Sequence, residues 1–276
     1  MELAFNPWLA FGWCVLCGFL MSMGAGGGGI LAGVGHISIL GIGDPNMIKV
    51  VNQILEFSSR LVSVPLYHRQ QRLVWSLALT FGAGAPLGAV AGSWVSKNHL
   101  SDMELYRAVF GALIVLVAAR ILWEGFTRRS KAQTVDQPRT VAYGWRRFTV
   151  RFAGEHFDFD PWMSALGGFC VSFVGALLGV GGGFLVTPFM ASILLFPMYL
   201  VIGTSLVALM IPLIVSVLTY LALEVGVDWK LVAVEVPGIF VGAFIGPSLN
   251  RYMNESTMKT FVAAILLAIG VYYVVF

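Results

Sequence analysis

The sequence predicts an all-α integral membrane protein of two inverted repeats. Each repeat holds three transmembrane helices and one glycine-broken helix pair, and a short cytoplasmic β-hairpin lies between the repeats. Three observations carry this prediction. Hydrophobic residues make up 58% of the 276 and charged residues only 11%, where a soluble domain carries about 25% charged. A chain so poor in charge cannot cover a water-facing surface, so its solvent is lipid. Glycine runs recur inside two apolar stretches, GAGGGG at 24–29 and GVGGG at 179–183. Residues 147–160, RFTVRFAGEHFDFD, alternate with the period of a strand.

The elements follow in chain order. Residues 8–43 are apolar, but one unbroken helix over them would be about 54 Å long at 1.5 Å per residue, too long for one crossing. The piece after the first glycine run, 30–42, is short for a span of about 20 residues. A broken pair that dips to mid-membrane and returns satisfies both facts, and the pattern leaves open whether it is a re-entrant hairpin or two crossings. Such exposed backbone is tolerated only where protein or a wet cavity surrounds it. Spans are predicted at 50–66, 73–95 and 105–123, which completes a first repeat over 1–123. The linker 124–161 contains the hairpin. A two-residue turn at Ala153-Gly154 places Phe148, Val150, Phe157 and Phe159 on one face, Thr149 opposite Asp158 and Arg147 opposite Asp160. The second repeat, 162–276, opens with a broken pair over 162–196. Its spans are 198–223, 229–249 and 257–276.

Basic residues set the orientation. Arg128, Arg129, Lys131, Arg139, Arg146, Arg147 and Arg151, from a total of 17 Lys and Arg, fall in the linker, which the positive-inside rule assigns to the cytoplasm. His68, Arg69 and Arg72 then face the same side, Glu224 and Asp228 face out, and both termini are outside a cell (inner or plasma) membrane. The repeats align with a nearly constant offset of 151 to 155: GAGGGGIL with GVGGGFLV, Ser38-Ile39-Leu40 with Ser192-Ile193-Leu194, Gly88–Gly92 with Gly242–Gly246. If each repeat crosses an odd number of times, the second copy starts from the opposite side. Inverted repeats with discontinuous helices are a transporter plan whose site lies at the repeat interface.

Other classes find little support. A net charge of +3 is too small for a nucleic-acid binder. Cys14, Cys17 and Cys170 sit in apolar runs and read as packing residues. No metal-ligand cluster, Walker sequence or nucleophile elbow appears, so neither an enzyme nor a cofactor is expected. MELAFNPW has no Lys or Arg before the first apolar run, which is unlike a cleavable signal.

Polar residues in lipid are costly and mark candidate sites. Asn52, Glu56 and Arg60, spaced by four, share one helix face. The pair Glu56–Arg60 reads either as a structural ion pair or as a proton carrier beside an anion-attracting arginine. Glu235, in VAVEVPGIFVG, is a second proton-coupling candidate. His36 reads as a packed histidine. Gly26, Gly27 and Gly28 match Gly181, Gly182 and Gly183; consecutive glycines mark unwound backbone, and helices starting after them point positive ends into the gap. Asn52 and Gln53 align with Thr204 and Ser205, and all four side chains can donate hydrogen bonds to an oxyanion.

GVGGGFLVTPFMASILLFP followed by LVIGTSL, with the earlier GAGGGG copy, resembles the TauE/SafE family of sulfite exporter-like membrane proteins. The resemblance covers nearly the whole chain apart from 124–161. It implies secondary transport of a small anion such as sulfite, an organosulfonate or a related carboxylate. The partners it implies are that anion and the lipid bilayer, with no nucleic acid; a homo-oligomer is compatible with it. The first half departs from the motif: Gly33 stands at the position matching Pro188, Asn52-Gln53 replace Thr-Ser, and Glu56 and Arg60 stand opposite Ala208 and Pro212. A passive anion channel, and a sensor or scaffold acting through the linker, are the rival readings.

Overall fold

The computed structural model describes residues 6–23, 27–127 and 137–249, together with 267, 270, 271 and 273. Three helices open on the same local chemistry. Asn6, Asp44 and Asp160 accept hydrogen bonds from backbone N–H groups of the following turn, and Pro7, Pro45 and Pro161 occupy the first helical position, where a missing N–H costs nothing. These are α1 (Pro7–Ser22), α3 (Pro45–Arg69) and α6 (Pro161–Leu178).

Both glycine stretches interrupt the helices. After α1 the chain resumes as α2 (Gly28–Val34), which runs into a π-helical turn, Gly35–Ile39. After α6, Gly179, Gly181 and Gly182 take positive φ of 70°, 64° and 75°, a region that side chains resist. The helix then restarts as α7 (Gly183–Pro188) and passes into a second π turn, Phe189–Ile193. The arms 28–39 and 183–193 are about 18 and 16 Å long at 1.5 Å per residue, short of the ~30 Å hydrocarbon thickness.

The remaining helices are α4 (Trp75–His99), α5 (Met103–Thr127), α8 (Met198–Ala208), α9 (Met210–Ala222) and α10 (Trp229–Leu249). By length and composition α4, α6, α8 and α9 taken together (Met198–Ala222) and α10 can cross a membrane. Helices α3 and α5 have 25 residues each, about 37 Å, but α3 carries a long buried polar row. The expected last span, 257–276, lies almost wholly outside the described residues. Between α8 and α9 the helix breaks at Leu209, three residues before Pro212, which has no N–H to offer the Ala208 carbonyl. The first half has Arg60 at that alignment position, and α3 runs through it unbroken.

Packing is set by glycines facing backbone. Helix α10 lies on α1 and α4 lies on α6. A Cβ at Gly242 would fall 2.0 Å from the Val15 carbonyl oxygen, and one at Gly88 would fall 2.1 Å from that of Phe169. The two glycines and the two carbonyls each differ by 154 positions. The Tyr67 hydroxyl donates to Ser22 O at 2.9 Å and the Tyr220 hydroxyl to Ala176 O at 2.9 Å, again at nearly that offset.

A three-stranded antiparallel sheet, β1 (Arg139–Tyr143), β2 (Phe148–Phe152) and β3 (Glu155–Phe159), precedes α6. β2 and β3 form the expected hairpin, with Phe148 opposite Phe159, Val150 opposite Phe157 and Thr149 opposite Asp158. Ala153 and Gly154 both take positive φ, 52° and 80°, as a tight hairpin turn requires. Two details add to the sequence reading. The Arg147 side chain pairs with Asp158 at 2.8 Å, whereas Asp160 caps α6; and β1 adds a third, mostly exposed strand. The apolar face of the sheet packs on Phe196 and Tyr199, at the start of α8, through Phe152, Phe157 and Phe159.

Candidate functional site

Helix α3 buries an unusual set of polar side chains. Asn52, Gln53, Glu56 and Arg60 are all at most 4% exposed. Glu56 and Arg60 lie one turn apart, and Arg60 Nη1 meets Glu56 Oε2 at 2.7 Å while donating to the Glu56 carbonyl at 2.8 Å. Such a pair stays buried only because each charge compensates the other.

Both glycine breaks close on this carboxylate. A Cβ at Gly29 would lie 1.8 Å from Glu56 Oε1, and one at Gly181 would lie 2.1 Å from Oε2. Only bare backbone leaves room for the Glu56 carboxylate between them. Asn52 ties the same two segments together: its amide nitrogen donates to Gly29 O at 2.9 Å and to Gly179 O. Beside Glu56 and Arg60 is a cavity of about 20 Å³. Gly28 and Gly29 line it from the first arm, Gly183 and Thr187 from the second, and Ser205 from α8. A water needs at least about 10–15 Å³ of such volume, so the cavity has room for a water and not for a polyatomic anion.

The candidate residues divide sharply. Gly28, Gly183, Ser205, Glu56 and Arg60 line the cavity, and Gly181 packs against its carboxylate. Gly27 and Gly182 immediately precede α2 and α7 but are not among the lining residues. Gly26 lies outside the described residues. Asn52 has a different task from the expected one, since its donors are spent on the two backbone carbonyls. Thr204 is likewise turned to structure: its hydroxyl accepts from the Val74 N–H at 3.1 Å and holds the start of α4. Gln53 is fully buried, and neither polar atom of its amide has a partner among the described residues. Glu235 stands apart from the cavity, beside His36.

Five cavity residues escaped the sequence reading: the apolar Met21, Leu206 and Leu209, together with Gly29 and Thr187. Gly29 is the fourth glycine of a run read as a triplet, and its closeness to Glu56 depends on the fold. Thr187 lies four residues after Gly183 and donates to its carbonyl at 3.1 Å, a spacing that could have placed it at the start of the arm. Lys49 was also missed. It is fully buried and donates to Leu100 O at 2.6 Å, with its ammonium 4.7 Å from the Tyr106 ring centroid.

This is the arrangement on which the comparisons with known proteins bear. A sequence profile described as Sulfite exporter TauE/SafE matches residues 10–273. The chain belongs to the TauE/SafE family. It is a membrane protein of that transporter family. One relative, from Bacillus subtilis (strain 168) and named Probable membrane transporter protein YunE, is 25% identical over 76% of the chain and 74% of its own length. A Xylella fastidiosa (strain 9a5c) protein, named Probable membrane transporter protein, is 24% identical over 94% of the chain and 91% of its own length. No solved structure matches the chain significantly.

Proposed function

We propose that this TauE/SafE protein moves a small oxyanion, sulfite or an organosulfonate, by alternating access at the cavity between its two glycine breaks. The observation that carries this reading is Arg60: a buried guanidinium on a cavity walled by the first turns of the glycine arms from both halves of the chain. Its planar fork suits an oxyanion's paired oxygens. In the closed state the fork holds Glu56 instead. An anion can take that place only when Glu56 gives up its charge to a proton, because two anions on one arginine would leave a buried net charge. Exchange of Glu56 for substrate therefore links one proton to each anion. The hydroxyls of Ser205 and Thr187 donate to the Ile202 and Gly183 carbonyls at 2.8 and 3.1 Å and would turn from these to the anion, and Gly28, Gly29 and Gly183 let the anion approach backbone.

Two inverted repeats meeting at the cavity would supply the alternating motion, and the recurrence of contacts at an offset of 154 supports that plan. The cytoplasmic side is read from the basic groups. Tyr199 donates to Gln70 O at 3.2 Å, and Ser76 meets Thr140 at 2.7 Å, so the sheet with its arginines adjoins the basic loop of His68, Arg69 and Arg72. Shared placement of these clusters fits the positive-inside rule.

The test is sulfite flux into proteoliposomes under an imposed pH gradient. The proposal expects accumulation above the external concentration, carried by the wild type and lost in Arg60→Ala. Equilibration without accumulation would show a passive channel, and undiminished accumulation by Arg60→Ala would remove the arginine from the site.

A further inference from the structure

The first glycine arm carries a second buried polar contact, separate from the cavity. His36 lies in the π turn Gly35–Ile39, and its Nε2 is 3.1 and 3.2 Å from the two carboxylate oxygens of Glu235 on α10. Each residue is 1% exposed, and neither lines the cavity. Among the described residues, the titratable groups around them offer no second countercharge. From α1, Cys14 and Cys17 lie near Glu235. From α3, which packs on α10, Lys49 is held by Leu100 O, and Glu56 and Arg60 hold each other. On α5, which meets the arm at Gly33 through Phe110, Tyr106 donates to Leu178 O. Tyr273 bonds to Ser38, two residues beyond His36.

The other half shows that the fold does not need this pair. At the offset of 154, His36 corresponds to Met190 and Glu235 to Phe81, both fully buried in one apolar cluster. Packing alone fills the equivalent place there. An ionisable pair kept where methionine and phenylalanine suffice is costly, and in a membrane such cost marks function.

Proton count explains what the pair can do. With neutral His36 and ionised Glu235 the contact carries a net negative charge in apolar surroundings. One further proton, on the carboxylate or on the imidazole, makes it neutral. A buried unpaired carboxylate is strongly disfavoured, so the closed contact is the loaded form, and release requires water to reach Glu235. The arm must then part from α10. Ser38 is already exposed, and the other end of the same arm is Gly28–Gly29, part of the cavity wall.

We propose that His36 and Glu235 form a one-proton latch that holds the first glycine arm against α10, so that loading and releasing a proton there closes and opens one wall of the cavity. This goes beyond the anion-site reading, and its test needs no substrate. Hydrogen–deuterium exchange of the full chain in lipid nanodiscs, corrected for intrinsic rates, reports opening of residues 28–39. Wild-type exchange in that arm is expected to rise about tenfold per pH unit only above about pH 6.5, where opening releases one proton; below that an exposed imidazole keeps the proton. Glu235→Gln, which fixes the neutral state, is expected to abolish the rise, while exchange in the arm 183–193 responds to pH in neither protein. A second variant, His36→Met with Glu235→Phe, copies the apolar pair of the other half and is expected to stay protected throughout. A pH-independent arm in the wild type, or an unchanged rise in either variant, would overturn the latch. Sulfite flux that fails while the arm still titrates would overturn only the anion-site reading.

Discussion

Gly29→Ala isolates the packing that brings the two glycine breaks onto Glu56. The added methyl carbon would sit 1.8 Å from Glu56 Oε1, and the carboxylate cannot retreat because Gly181 stands behind Oε2. The side chain must leave its place, and with it goes the 2.7 Å contact to Arg60. Breaking a buried pair so that one charge is left uncompensated costs about 3–5 kcal/mol. For a chain of this size about 2–4 °C of melting temperature follows each kcal/mol, so the expected fall is about 6–20 °C. Tryptophan fluorescence during heating in detergent reads it directly. Gly12→Ala is the control, since a Cβ at Gly12 meets nothing within 4 Å, and its melting temperature should be unchanged or slightly raised. The cause is checked by a double-mutant cycle. If the methyl acts through Glu56, then Gly29→Ala adds little destabilisation in a Glu56→Ala background. A Gly29→Ala protein that melts with the wild type, or a full additional loss in the Glu56→Ala background, would refute the reasoning.

Neighbouring residues of α8 should separate stability from transport. Thr204→Val leaves the buried Val74 N–H without its acceptor and is expected to cost about 1–3 kcal/mol, seen as a lower melting temperature with an unchanged KM for sulfite. Ser205→Ala removes a cavity hydroxyl that donates to the Ile202 carbonyl at 2.8 Å; it is expected to raise KM about 2- to 10-fold, the worth of one ordinary hydrogen bond, and to lower the melting temperature less than Thr204→Val does.

Much of the architecture is legible in the sequence because lipid makes local rules strict. Apolar runs give the helices, and the alternation in 147–160 gives the hairpin down to the pairing of Thr149 with Asp158. Consecutive glycines give the breaks, since Gly179, Gly181 and Gly182 occupy φ values that other residues resist. The strand Arg139–Tyr143 escapes notice: it is five residues long and mostly exposed, so burial imposes no clear alternation on it. The site is less legible, for a physical reason. A donor's chemistry is written in its side chain, but what it donates to is decided by the fold. Asn52 has the donors to hold an oxyanion and spends them on Gly29 and Gly179 instead, while the Thr204 hydroxyl accepts from the Val74 N–H. His36 and Glu235, 199 positions apart, give no local sign that they meet; only the repeat offset, which pairs them with Met190 and Phe81, marks them as unusual.

The most direct check uses selenite, a heavier pyramidal relative of sulfite whose selenium can be located by anomalous diffraction. Crystals of the wild type grown with selenite should show selenium beside the Arg60 guanidinium, with the selenite oxygens within hydrogen-bonding reach of it, between Gly28 and Gly183, and with Glu56 turned away. Selenium bound only outside that space, or bound there equally in Arg60→Ala, would contradict the account.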